Sequence, residues 1–575
     1  MPTAKRKSSQ SKKGRAGLKK TSATKKSKSK RGAKKVAGKI NFIPNDPLAV
    51  KDLAMRTVAP RRDPTGSRAK FAFAKNMGSP ARSAAGTKTF LFWQSREAAL
   101  AAVETFGNLG GPLPNWASDA TRPLPLKADA GKDLNAYYNR RSVSFFHYPV
   151  GKSTVFSGES TDVVAHEVGH AILDSLRPDL WASSLPEHAA FHEAFGDCIA
   201  ILTAFNDPAT CSALVAITPK LSAANFVEST AEALSDAVRR AIGPQHPASQ
   251  PRQALNKYRW RLPSTLPTTG GPAVLTGEPH SFARVFTGCF YDTIRNIFTS
   301  HAPRNAASLA TAARTAGALL VEGARNAVEG TRFYEAVGVA MLAADQSANA
   351  GTNSVAITKA FEAHGITLAQ PARAFQERSR VAGGQAKKGR AVGAVSAAKV
   401  SRELKSRMGA KGTGALQSQD FMIGAERASK FVNTRQVALD GISEQLKGVV
   451  APAPEPVVVA GIQRGYYAAT RSAIPESHST EDEVRFFAMT LVANGNLEVA
   501  DQVPARASAV ATAGSVAAVA TRSARKTTAA VAAGVGTPVT HAIRTKGGKR
   551  VLTRVRFACG CGCRWSRAGS DRKPT

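Results

Sequence analysis

An α+β fold is expected from the sequence on three observations. The stretch Thr161-Asp-Val-Val-Ala-His166-Glu167-Val-Gly-His170 continues into Ile172 and Leu173, and its apolar residues suit a buried helix. Just before it, Ser142-Val-Ser-Phe-Phe-His-Tyr148 alternates as a strand does. A chain of 575 residues, 43% of them hydrophobic, can bury a sizeable core and has length for about two to four domains.

In chain order, the first element is an arm. Residues 1 to 45 hold 16 Lys or Arg and no acidic residue, and residues 502 to 570 hold 12 and none. The two ends therefore carry 28 of the formal net charge of +38. Residues 1–45 offer almost nothing to bury and are expected to be a disordered basic arm. No apolar stretch follows the basic start as in a secretory signal, and no run is long enough to span a membrane. A cytoplasmic location is expected, with signal-independent export left open. Basic ends can engage nucleic acid or an anionic surface without sequence preference; a solvated, solubilising arm is the other reading.

The 161–173 stretch carries chemistry. Residues four apart on a helix lie about 40° from each other round its axis, so His166 and His170 can reach one metal ion while Glu167 projects beside it toward a water. A buried helix with two hydrogen-bonded histidines would show the same spacing. The metzincin pattern needs glycine and histidine where this chain has Leu173 and Leu176, which excludes that class. Downstream, Phe191-His192-Glu193-Ala194-Phe195-Gly196-Asp197 places Glu193 and Asp197 on one helical face. Glu193 can complete a three-ligand site with one position open for water. Asp197 can accept the outer N–H of a zinc histidine, or be an ordinary surface carboxylate. His192, which pairs with His188 at four-residue spacing, is an alternative ligand.

On these residues the chain resembles the thermolysin-like zinc metallopeptidases, the gluzincins. Leu134-Asn135-Ala136-Tyr137-Tyr138 with 142–148 is similar to the family's edge strand, and Phe156-Ser157-Gly158 leads into the metal helix. Glu278-Pro279-His280, followed by Phe282, Val285, Phe286 and Tyr291, is similar to the segment with the second catalytic histidine. Arg332-Phe333-Tyr334 to Ser347 and Val355 to Gly365 match the closing helices. The resemblance covers roughly 126–368. It implies a two-lobed zincin: a β-rich N-terminal lobe with the edge strand and metal helix, a mainly helical C-terminal lobe, and disordered basic termini. Residues 46–125 would be an N-terminal segment of the catalytic unit or a linker.

The activity implied is that of a zinc-dependent endopeptidase acting on peptide or protein substrates. Zinc (Zn2+) would sit on His166, His170 and Glu193, and Glu167 would activate its water. His280 would donate to the oxyanion, oriented by Glu278. Asn135 and Ala136 would hold the substrate as an added strand. One departure stands out: Trp181 occupies the position of the family's usual oxyanion-stabilising tyrosine. The competing class is a peptidase-like scaffold whose basic arms bind nucleic acid or another polyanion.

Residues 369–500 lie beyond the resemblance. Arg402 to Lys447 reads as helical; Val484–Ala493, Asn494-Gly495 and Leu497–Val499 read as a β-hairpin. Residues 501–575 read as a basic low-complexity tail, with a second hairpin candidate around Gly547-Gly548. Cys198, Cys211 and Cys289 stand in apolar contexts as buried thiols. Cys559, Cys561 and Cys563 are either a thiolate cluster for a soft metal or an exposed redox-sensitive tail.

Overall fold

The computed structural model describes residues 38–63, 69–74, 78–113, 115–117, 122–368, 417–423, 426–460, 479–498 and 539–559. The fold is mixed α and β. Its main core lies among the helices Lys88–Gly110, Thr161–Leu176, Pro186–Phe205, Pro279–Ser300, Ala306–Asn326 and Phe333–Asn349. The Thr161–Leu176 helix packs on both Lys88–Gly110 and Pro186–Phe205. Within 46–125, the Lys88–Gly110 helix packs on this body. The Pro279–Ser300 helix starts where the sequence stops it from starting earlier: Glu278 accepts from the Ser281 N–H as N-cap, and Pro279 supplies a ring that needs no partner.

A five-stranded sheet flanks the Thr161–Leu176 helix in the order Phe557–Ala558, Ala136–Tyr138, Val143–Phe145, Leu124–Lys127, Phe71–Ala72. The first two junctions are antiparallel and the last two parallel. A second, six-stranded sheet runs Gln417–Ile423, Glu426–Ala438, Val449–Ala460, Lys549–Arg554, His541–Lys546, Leu497–Glu498. The helix Thr480–Ala493 covers it through Val484, Phe487, Ala488 and Leu491. Leu185 and Ala189, at the start of the Pro186–Phe205 helix, join the same small core, and the Ser184 N–H donates to the Pro452 carbonyl at 2.8 Å.

Several expectations are corrected. The arm does not reach residue 45: Ile40–Phe42 is a strand, and Ile40, Phe42 and Ile43 are buried. Gln94, buried on the Lys88–Gly110 helix, holds Ile43 by both backbone groups, accepting from its N–H at 2.9 Å and donating to its carbonyl at 3.0 Å. Residues 1–37 lie outside the described residues. The helix expected within 402–447 is instead strand over Gln417–Ile423 and Glu426–Ala438, with 402–416 outside the described residues.

The hairpin expected at 484–499 is a helix followed by a two-residue strand. Ser479 and Asp482 form a reciprocal capping box, three acidic residues fill the first turn, and Val484, Phe487, Ala488 and Leu491 share one helical face. Asn494-Gly495 ends that helix rather than turning a hairpin: Gly495 has φ +67°, and the Asn496 N–H reaches back to the Leu491 carbonyl. The tail reading fails over 541–558, where the hairpin around Gly547-Gly548 forms with Lys546 opposite Lys549 and Phe557–Ala558 enters the first sheet. Among the described residues no single helix is long and apolar enough to cross a membrane.

Candidate metal centre

Three helices and two strands meet at the site. His166, Glu167 and His170 lie on the Thr161–Leu176 helix, and Glu193 and Asp197 on Pro186–Phe205. These helices cross glycine on glycine. A Cβ on Gly169 would lie 2.8 Å from the Gly196 Cα, and one on Gly196 only 2.7 Å from His166 Nδ1. Larger residues would hold the helices apart, and Glu193 could not reach the imidazoles.

All three carriers of the HExxH motif are fully buried, with their ligand atoms within 4.8 Å of one another. Glu193 Oε2 lies 3.3 Å from His166 Nε2, 3.5 Å from His170 Nε2 and 3.1 Å from His280 Nε2. His166 Nε2, both nitrogens of His170 and both oxygens of Glu167 are buried without hydrogen-bond partners. Such atoms are costly in a protein interior unless a cation or water satisfies them. The donor set, two imidazoles and a carboxylate around one point, fits Zn2+ with an open position.

His166 Nδ1 lies 2.9 Å from Asp197 Oδ1, so Nδ1–H donates outward and Nε2 keeps its lone pair for the site. Asp197 is thus not a surface carboxylate; it is 1% exposed and is also gripped by Arg252, Nη2 to Oδ1 at 2.8 Å. Burial works against charge on Asp197, but Arg252 and His166 outweigh it and hold the carboxyl below its ordinary range. Burial and Arg252 likewise lower His166, yet the carboxylates of Asp197 and Glu193 raise it to about 9. Burial pushes Glu167 up to about 8 and holds His170 down at about 4.

His280 stands at the first turn of its helix, and its Nδ1 meets Glu278 Oε1 at 2.7 Å. One residue thus caps the helix and orients the ring, leaving Nε2 facing the cluster. Asn135 is buried; its Oδ1 accepts from the Ala136 N–H at 2.9 Å and its carbonyl from Ser157 Oγ at 2.8 Å. Trp181 packs edge-on against Tyr138 and Phe557, at 5.8 and 5.4 Å between ring centroids. The His192 ring stacks on Phe557 at 4.1 Å and lies 5.8 Å from the His170 ring.

Sequence reasoning missed five contributors. Arg252 sits on a two-residue strand with no pattern to flag it. Gly169 and Gly196 lay inside the quoted motifs, and their spacing from the histidine and carboxylate was the signal. Phe557 and Cys559 arrive from the far end of the chain. Cys559 is buried, not exposed; burial pushes its thiol up to about 12. Cys198, Cys211 and Cys289 are buried as expected; Cys561 and Cys563 lie outside the described residues. Comparison of the chain with protein-family models and with curated proteins gives no match.

Proposed function

We propose that the chain is a zinc-dependent endopeptidase of thermolysin type, built on a two-lobed zincin scaffold. The observation that carries this reading is the convergence of His166, His170 and Glu193 on one buried point, with Glu167 beside it and His280 facing it. When bound there, zinc would supply Lewis acidity, making water more acidic and polarising the scissile carbonyl. Glu167 takes the proton of the attacking water and delivers it to the leaving amine. His280, fixed by Glu278, donates from Nε2 to the developing oxyanion. Asp197, itself held by Arg252, keeps His166 in the tautomer the site needs.

The deciding experiment measures zinc content and cleavage of a broad peptide library for the wild type and Glu167→Gln. The expected result is about one zinc in both and hydrolysis lost in the variant, because an amide cannot accept the proton. The packing of Phe557 over the site's histidines favours a second reading, a closed peptidase-like scaffold whose basic ends bind a polyanion. That reading takes over if zinc binds and neither the wild type nor a form freed of the Phe557 strand cleaves any peptide.

A further inference from the structure

We propose that Phe557–Cys559 is a built-in occupant of the substrate groove that keeps the chain latent, and that turnover requires its release. This rests on the peptidase reading. Ala136–Tyr138 would be an open sheet edge, the place where an extended peptide can add as a strand. That edge is taken. Phe557 pairs antiparallel with Tyr138 and Ala558 with Tyr137, and the Cys559 N–H donates to the Ala136 carbonyl at 2.8 Å. Ala136 is the residue expected to hold substrate, and its acceptor is engaged by the chain itself.

The side chains close the groove further. The Phe557 ring, 1% exposed, stacks on the ligand His170 at 4.6 Å and 14° and on His192 at 4.1 Å and 23°. The Arg554 guanidinium lies 4.0 Å from its centroid. Cys559 Sγ lies 3.6 Å from Arg252 Nη1. Ala558, Cys559, Arg554, Glu193 and His280 all line one cavity of about 240 Å³. A peptide positioned for attack beside Glu167 would need the space these residues fill.

The tether makes the block effective. Only Val555 and Arg556 separate the strand from Lys549–Arg554, which is locked into the six-stranded sheet. A segment on so short a link competes at an effective concentration on the order of millimolar, well above that of most peptide substrates. Release needs the strand to peel from Ala136–Tyr138 while the hairpin behind it stays paired.

The test uses the full-length, zinc-loaded chain in three forms: wild type, Phe557→Ala, and Phe557→Ala with Cys559→Pro, which also deletes the N–H bonded to Ala136. Affinity for a short peptide hydroxamate is measured by calorimetry, together with kcat/KM on a quenched peptide library, zinc content and thermal melting. Affinity and kcat/KM should each rise at least about tenfold in the double variant, a gain of about 1.4 kcal/mol, with the single variant between. Equal hydroxamate affinity in all three overturns latency. A rise in affinity with no cleavage by any form keeps the occupied groove and overturns the peptidase reading instead. If the double variant does not melt cooperatively, the single variant carries the same comparison.

Discussion

Gly196→Ala tests whether the helix crossing builds the metal centre. The added Cβ would lie 2.7 Å from His166 Nδ1, 2.8 Å from Cε1 and 3.0 Å from Cγ. Ordinary carbon contacts are about 3.5–4.0 Å, so the ring must retreat by roughly 0.7 Å or more. It has nowhere to go without loss. Its Nδ1 is bonded to Asp197 at 2.9 Å and lies 3.3 Å from Arg252 Nη2. The backbones cannot absorb the strain either, because Gly169 packs directly on Gly196. Overpacking of this kind costs about 1–3 kcal/mol, against a gain of about 0.5–1 kcal/mol for replacing a helical glycine. Misplacing a ligand's supporting bond typically lowers metal affinity about 10–100-fold. The assay is chelator competition for zinc affinity plus denaturant melts of the metal-free protein. Gly107→Ala is the control: it lies in the Lys88–Gly110 helix, and its Cβ meets nothing within 4 Å. It should gain the glycine term and leave zinc untouched. Zinc affinity in Gly196→Ala within twofold of wild type would refute the crossing argument.

Three further outcomes are expected. Glu193→Ala should lose most bound zinc while His192→Ala retains it, since Glu193 Oε2 lies 3.3 and 3.5 Å from Nε2 of His166 and His170 while the His192 ring stacks on Phe557; the reverse pattern in elemental analysis would reassign the third ligand. In a strand-released form, His280→Ala should lower kcat by about 10²–10³ with zinc content unchanged, and an unaltered kcat would remove His280 from the mechanism. A chain lacking 1–37 should melt as the whole chain does and bind duplex DNA with a flatter salt dependence. One lacking 1–45 should lose more than about 3 kcal/mol, because Ile40, Phe42 and Ile43 leave the core and Gln94 is left without its Ile43 partners.

What the sequence made legible is what is local. His166 and His170 announce themselves because four-residue spacing on one helix already fixes their relation. Glu193 and Asp197 are legible for the same reason on a second helix, and their joint fit to one imidazole cluster could be argued before any coordinates. Glu278 and His280 are readable only through the resemblance of Glu278-Pro279-His280 to a family segment; that the same residues cap a helix start is visible only in the structure. The helix at Thr480–Ala493 was hidden by its own residue types. Val, Phe and Phe favour strands, and Asn-Gly mimics a hairpin turn, but the capping box and the spacing of Val484, Phe487 and Leu491 outweigh both once packed.

The strand over the site is a different kind of omission. Phe557–Ala558 is two residues long and pairs with Ala136–Tyr138 across some four hundred residues of chain, so neither periodicity nor turn chemistry can announce it. Its placement is decided elsewhere, by the six-stranded sheet that fixes Lys549–Arg554 and by Leu185 and Ala189, which tie that sheet's core to the helix bearing Glu193. The six-stranded sheet and the cluster of His166, His170 and Glu193 are therefore mechanically connected. A force or ligand that loosens the small core around Val484, Phe487 and Leu552 acts, through the two-residue link at Val555 and Arg556, on the ring stacked against His170. If the groove is latent as proposed, the strand pairing of Lys549–Arg554 and Phe557–Ala558 is what sets whether the site can be reached.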